Sequence, residues 1–240
     1  DELKPVLNYL AVTRKGLNMA LLHHLSGREL TACQTLLQTT GERGFVKMRP
    51  GDERLFLHDE MYLLCDTHLL QAHDVQTLSE RIVTWYEEQI DDSEDSRKRQ
   101  DLEIESLFYR LRADPQKGYH WYAKRADFAI RGVQAGLDMR LRSEMLTFLR
   151  SVSPIDTTLI ANTEGLQAQF NCDSAGWWVK RLMVRGKNRQ AVEIAQEACP
   201  TFCPEDKFVL AKADLTVYHA QAMIYSAESL EDVKEAVALL

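Results

Sequence analysis

The residues able to do chemistry in this chain are few, and their spacing rules out most of the chemistry they suggest. Cys199 and Cys203 are separated by three residues instead of the two of a C-x-x-C zinc or redox pair, and no second pair accompanies them. His23 and His24 are adjacent, so on a helix they point to different faces. His68 and His73 lie five apart, outside the i,i+4 spacing that lets two imidazoles share a metal on a helix. No G-x-S-x-G elbow, H-E-x-x-H pair, glycine-rich dinucleotide loop or G-x-x-x-x-G-K-[ST] phosphate loop occurs. Carboxylates are plentiful, but helical periodicity places most of them on solvated faces. What remains is His58 beside Asp59, and the aromatic pairs Trp121–Tyr122 and Trp177–Trp178. Adjacent aromatics cannot share one helix face, so at least one of each pair is expected to be partly exposed, where it could anchor a ligand, although core packing is the stronger expectation. No catalytic residue and no metal ligand set is predicted.

The elements that must position His58 are legible on either side of it. Val6, Leu7, Tyr9, Leu10 and Val12 suggest a first helix ending near Gly16, and Leu17, Ala20, Leu21 and Leu25 a second. Ser26 and Glu29 read as a capping box for a third, with Leu25 and Leu30 as its hydrophobic staple. Leu30, Cys33, Leu36 and Leu37 line one face, and Gly41 and Gly44 end the helix. Phe45–Arg49 and Arg54–Leu57 alternate apolar and polar residues about Pro50-Gly51, a pair suited to a type II turn, which predicts a β-hairpin. Three helices followed by a hairpin is the winged-helix order. A DNA-reading helix needs Arg, Lys, Asn or Gln at exposed positions. Between Arg28 and Arg43 the charges of Arg28, Glu29, Glu42 and Arg43 cancel, and the exposed positions carry mostly Thr and Gln. The hairpin is mildly basic, with Lys47, Arg49 and Arg54 against Asp52 and Glu53. DNA is therefore not the expected partner, and a protein-facing use is.

By itself, the Leu57-His58-Asp59 stretch reads as a strand-end histidine before an N-capping aspartate. At the end of a winged helix, opening the helix Glu60–Leu64, it resembles the Met-His-Asp motif of STAND-type ATPases, the class that includes the NB-ARC proteins of apoptosis and plant immunity. Residues 7–70 are similar to that class's winged-helix subdomain in element order and motif position, with Leu57 where the family has Met. The resemblance implies that His58 contacts the phosphates of ADP on a preceding nucleotide-binding domain of the same chain, and that Asp59 supports the motif. It implies ADP or ATP as cofactor of the parent protein and none for this stretch, which has no phosphate loop.

From Asp74 on, the patterns are almost all helical. Leu78, Ile82, Trp85 and Tyr86 form one face, and Ile104, Leu107, Phe108 and Leu111 the next. Residues 91–101 are acidic and then basic, and suit a solvated helix with Glu94–Lys98 and Asp95–Arg99 pairs or a linker. Pro115 and Gly118 mark a break. Tyr122, Ala126, Ala129 and Val133 define a helix ending near Gly136, and Leu141, Met145, Phe148 and Leu149 one halted by Pro154. Residues 155–170 are less legible. Asp173 is expected to cap a helix through Trp177 and Leu182 that Gly186 closes. Ala191, Ala195 and Ala198 then lead to Pro200 and Pro204, and residues 210–225 and 230–240 form a further pair. The small-residue spacing resembles a tetratricopeptide repeat.

The chain as a whole is mainly α, a winged-helix domain over 1–73 followed by TPR-like antiparallel helical repeats over 74–240. With 240 residues, 45% hydrophobic and 27% charged, it can bury one large core or two small ones. A net charge of −7 gives no global attraction to nucleic acid or anionic lipid, and no apolar run approaches the ~20 residues of a membrane span. Five scattered cysteines favour a reducing compartment, read as the cytoplasm. The chain opens on Asp1 and stops at Leu240 inside an apolar pattern, so both ends read as cut. The expected function is regulation and sensing within a signalling ATPase, with a protein or small-molecule activator on the repeats. The alternative is a winged-helix transcription regulator with a helical effector and dimerisation domain.

Overall fold

The computed structural model describes residues 3–49, 51, 53–151, 157–202 and 209–240. Among them are twelve helices and one two-stranded antiparallel hairpin. The chain divides into two compact units, residues 1–120 with 144–157 and residues 121–143 with 158–240.

The first unit opens with α1 (Leu3–Val12), α2 (Met19–Ser26), α3 (Leu30–Gly41), β1 (Val46–Met48), β2 (Leu55–Leu57) and α4 (Asp59–His68). The hairpin pairs Val46 with Leu57 and Met48 with Leu55. Leu17, between α1 and α2, adds a one-residue bridge: its N–H donates to the Leu55 carbonyl at 2.9 Å and its carbonyl accepts from Leu55 at 3.0 Å. Leu10, Leu17, Leu21, Leu22, Leu25, Leu55 and Leu57 form the buried core beneath these elements. Gly16 is obligatory beside the bridge. It sits at φ +91°, and a Cβ there would lie 2.5 Å from the Phe56 ring.

Helix α2 starts at a side chain the sequence reading passed over: the Asn18 side-chain oxygen accepts from Leu21 N–H at 2.9 Å. The expected capping box is absent. Ser26 is the last residue of α2 and Gly27 caps it in the left-handed conformation, so Ser26 cannot cap α3. Glu29 precedes α3 without a side-chain cap, and Leu30 is 47% exposed, so Leu25 and Leu30 form no staple. A glycine one residue after Ser26 ends one helix before the next can begin, and the S-x-x-E pattern straddles that junction.

Helices α5 (Ala72–Asp91) and α6 (Ser96–Ala113) fold back on each other. Ile82, Trp85 and Tyr86 of α5 and Leu107, Phe108 and Tyr109 of α6 are buried, and the Tyr86 and Tyr109 rings stack at 5.6 Å. The acidic–basic stretch resolves into a short turn and a helix start. Asp95 caps α6 by accepting from Arg97 N–H, and Arg99 donates to the Ser93 carbonyl. Arg81 of α5 donates to the carbonyls of His24 and Leu25, satisfying the C-terminus of α2. The first compact unit therefore continues past residue 73.

Helix α7 (Pro115–Arg131) begins with Pro115 as its first residue, and the Asp114 carboxylate accepts from Gln116 and Lys117 N–H. That carboxyl titrates below its ordinary value because it holds those bonds. Gly118 marks no break. It lies inside α7 where a Cβ would stand 2.7 Å from the backbone of Arg110 and Leu111, so it permits α6 and α7 to touch.

In the second unit Tyr122, Ala126 and Ala129 are buried as expected, but α7 stops at Arg131 and Val133 is 63% exposed. Gly136 lies within α8 (Ala135–Ser151) and terminates nothing. Helix α9 (Thr157–Val184) runs unbroken through Asp173, which is no cap. Tyr122 packs against Trp177 at 5.5 Å and Phe170 at 6.0 Å. Helix α10 (Asn188–Phe202) continues through Pro200, and Pro154, Cys203 and Pro204 lie outside the described residues. Ala191, Ala195 and Ala198 of α10 and Ala211 and Leu215 of α11 (Val209–Ser226) share one core. Helix α12 (Leu230–Ala238) packs on α11 behind a capping box from Ser229 and Asp232. No strand occurs beyond residue 74 among the described residues, and none of the described helices is long and apolar enough to cross a membrane.

Candidate functional site

The end of β2 fixes the backbone around His58. Leu57 is fully buried opposite Val46, its N–H donates to the Tyr62 hydroxyl at 3.3 Å, and His58 N–H donates to the Phe45 carbonyl at 3.0 Å. Anchored on both sides, the chain turns directly into α4. His58 occupies the N-cap position with extended backbone (φ −65°, ψ 154°) and makes no side-chain capping bond. The reading of Asp59 as the cap is corrected: Asp59 is the first helical residue. Its carboxylate is 91% exposed, 3.3 Å from the Lys47 ammonium, where a negative charge suits the helix N-terminus. The His58 side chain is exposed.

Next to Tyr62 lies a half-buried polar cluster. The Arg14 guanidinium lies 4.0 Å from the Tyr62 ring centroid and 2.5 Å from the Asp66 carboxylate, and Arg112 approaches Asp66 at 3.9 Å. Burial raises the Tyr62 hydroxyl above its ordinary pKa, against the Leu57 N–H and Arg14, which pull it down. Burial likewise raises the Cys65 thiol, with Asp66 adding to the effect. Tyr62 thus stays a neutral phenol, able to accept from Leu57 and hold the start of α4 in place.

Chemically, the arrangement offers one exposed imidazole on a rigid helix start. It can donate a hydrogen bond to an anion presented from outside, but among the described residues no backbone cradle surrounds it, and the neighbouring Lys47 lies 3.3 Å from the Asp59 carboxylate. The hairpin cations are engaged within the fold. Arg54 donates to Glu105 at 2.9 Å and to the Lys15 carbonyl at 3.0 Å, and Tyr86 donates to the same carboxylate at 3.0 Å. Arg49 stacks on Phe56 at 4.6 Å. The exposed positions of α3 are Leu30, Thr31, Ala32, Gln34, Thr35, Gln38 and Thr39, and the Thr35 and Thr39 hydroxyls donate back into their own helix.

The other groups picked out by type fall apart in space or into packing. His24 sits against the Arg81 carbonyl at 3.1 Å while His23 contacts the Arg28 carbonyl. His68 and His73 are exposed on separate helices. Trp177 is buried and Trp178 43% exposed, and Tyr122 is buried beside a half-buried Trp121. No cluster of three or more His, Cys, Asp or Glu able to hold a metal occurs among the described residues. Cys33, Cys65 and Cys199 are free thiols and Cys172 is disulfide-bonded, so the cysteines alone give no argument for a reducing compartment.

Two features gave no sequence signal. Asp138 and Arg181, 43 residues apart, form a buried bidentate pair with both bonds at 2.5 Å. Val133 takes a left-handed backbone at φ +54°, which its β-branched type would not suggest. Compared with protein-family models, curated proteins and solved structures, the chain matches none.

Proposed function

We propose that this chain is the regulatory and sensing part of a STAND-type signalling ATPase. In this reading residues 1–73 are a winged helix that packs on a nucleotide-binding domain of the same chain, and the later helix pairs are TPR-like repeats that take a protein or small-molecule activator. The observation that carries it is His58: an exposed imidazole held at a helix start by the buried Leu57 and the Phe45 carbonyl, directly after the hairpin. The order of helix, one-residue bridge, two helices, hairpin and helix supports the winged-helix part. The folding back of α10, α11 and α12 on one another over small residues supports the repeat part.

In the intact protein, His58 donates to the phosphates of ADP and favours the closed state, and this chain performs no catalytic step. A charge-assisted hydrogen bond of about 1.5–3 kcal/mol made in one state only shifts the open-to-closed ratio by roughly ten- to a hundred-fold. His58→Ala in the protein carrying its nucleotide domain should therefore raise basal signalling by that order. The same substitution in this chain should leave the unfolding free energy within ~0.5 kcal/mol of wild type, since the side chain is exposed. A His58→Ala protein as silent as wild type without activator refutes the assignment. So does calorimetric binding of ADP or ATP to this chain alone tighter than ~10 μM, because one imidazole supplies no phosphate cradle. The transcription-regulator alternative requires DNA contacts from α3 and the hairpin, where Arg54 is committed to Glu105 within the fold and Lys47 lies beside the exposed Asp59 carboxylate. A start codon just ahead of Asp1 in the gene favours that alternative, and an upstream phosphate loop favours the ATPase.

A further inference from the structure

Helices α9 and α10 are joined by residues 185–187 alone, a link so short that the second helix runs back along the first. Cys172, Ala175, Val179 and Leu182 of α9 and Ala191, Ala195 and Ala198 of α10 lie in one buried cluster, as facing stripes of an antiparallel pair do. Height along the pair follows from the helical rise of about 1.5 Å per residue. Cys172 stands twelve residues before Val184 and Cys199 eleven residues after Asn188, which puts them level to within about one turn. Cys199 follows the inward-facing Ala198, is half-buried and packs against the same cluster. Alanine at the inward positions of α10 brings the helix axes toward the short end of the ~8–10 Å packing range, where facing Cα atoms fall within the ~4.4–6.8 Å that a disulfide spans.

The two sulfurs differ in oxidation state. Cys172 is fully buried and disulfide-bonded, whereas Cys199 is a free thiol. Disulfides isomerise by attack of a thiolate on one of their sulfurs, and holding the thiol on a neighbouring helix replaces the bimolecular encounter that this attack otherwise needs.

We propose that Cys199 is a thiol–disulfide exchange site acting on the Cys172 disulfide. The Cys199 thiolate attacks Cys172 Sγ, and a Cys172–Cys199 bond forms as the existing S–S bond breaks. The electron pair leaves on the former partner's sulfur, which takes up the proton that Cys199 released, so no oxidant or reductant is consumed. Of the five cysteines in the sequence, Cys33, Cys65 and Cys199 are free, so the cysteine released within the chain is Cys203. The Cys199-x-x-x-Cys203 spacing, unsuited to a C-x-x-C pair, thereby supplies two cysteines that alternate as partners of a third. The three belong to the second compact unit. A gene without an upstream phosphate loop would sink the ATPase reading and leave this site untouched.

The test takes the full chain purified without reductant and holds it at about pH 8, where an ordinary thiol is partly ionised. Samples are quenched in acid, blocked with N-ethylmaleimide and digested with chymotrypsin, whose cut after Phe202 separates Cys199 from Cys203. Mass spectrometry should find both Cys172–Cys203 and Cys172–Cys199 peptides, in amounts within roughly tenfold of each other because the two leaving thiols are alike. Their interconversion should quicken as pH rises, a dependence that a purely structural disulfide lacks. The Cys203→Ser chain treated with oxidised glutathione should close the Cys172–Cys199 bond and release reduced glutathione, while Cys199→Ser should hold a single isomer. A wild-type chain that keeps one Cys172 disulfide at every pH overturns the exchange. Glutathione retained on Cys199 of the Cys203→Ser chain, with Cys172 still a thiol, overturns the placement of Cys199 beside Cys172.

Discussion

Asp138→Ala should be among the most damaging single substitutions in the second unit. Asp138 and Arg181 are 10% and 9% exposed at their side chains, and the pair is bidentate. Removing the carboxylate strips Arg181 of both its acceptors and leaves a buried guanidinium whose third nitrogen is already without one. Breaking a buried pair from one side costs about 3–5 kcal/mol, because the remaining charge stays desolvated. Asp138 also lies in the first turn of α8, where a negative charge contributes about 0.3–1 kcal/mol against the helix dipole. At roughly 2–4 °C per kcal/mol for a chain of this length, the thermal midpoint should fall by roughly 6–20 °C. Urea unfolding followed by tryptophan fluorescence is the suitable assay, since Trp121, Trp177 and Trp178 all belong to the second unit. Arg181→Met alone should also destabilise. The double variant Asp138→Ala, Arg181→Met should recover most of the loss, because a hydrophobic replacement of a buried pair is often neutral. An Asp138→Ala chain within ~1 kcal/mol of wild type would mean that the pair behaves as a solvated surface bridge, and the reasoning fails.

Further outcomes follow from the caps and the buried phenols. Asn18→Ala should cost about 1 kcal/mol in chemical denaturation, while Ser26→Ala should cost less than half as much, since Ser26 caps no helix. Equal losses would restore the capping box. Burial raises the hydroxyls of Tyr86, Tyr109 and Tyr122 above the ordinary value of 10.0. The folded chain keeps these protons while the unfolded chain releases them, so stability is full below pH ~10 and declines as pH rises above it. Ultraviolet titration should show these three phenols ionising only with unfolding, and a normal tyrosine titration in the folded chain would contradict the packing.

The apolar periodicity carried most of the secondary structure, and it did so for a physical reason. Ile104, Leu107, Phe108 and Leu111 share a helical face in any context, and their burial follows once any partner covers it. The hairpin was equally local: alternation on both sides of Pro50-Gly51 placed Leu55 and Leu57 inward. Local cues misled where two elements compete for the same residues. Gly27 closes α2 within the apparent capping box, and Gly118 and Gly136 sit inside helices where glycine normally ends them. A glycine signals only that a Cβ is absent. Whether the space serves a turn or a crossing helix depends on what approaches, and at Gly118 that is the backbone of Arg110 and Leu111.

By itself, then, the sequence determined that this is a mainly helical chain with one hairpin near its start, which helix faces are apolar, and that His58 stands at the junction of strand and helix. These are properties of neighbours a few residues apart, governed by periods of two and 3.6. The tertiary structure alone decided which charges are spent. Arg54 belongs to Glu105 rather than to an open basic hairpin, Arg14 to Asp66, and Arg181 to Asp138, across 51, 52 and 43 residues of chain. No local pattern encodes such a pairing, because a guanidinium is soluble on any surface and is buried only where a distant carboxylate arrives with it. The same holds for Val133, whose left-handed backbone is imposed by the ends of two helices meeting rather than by the residue itself.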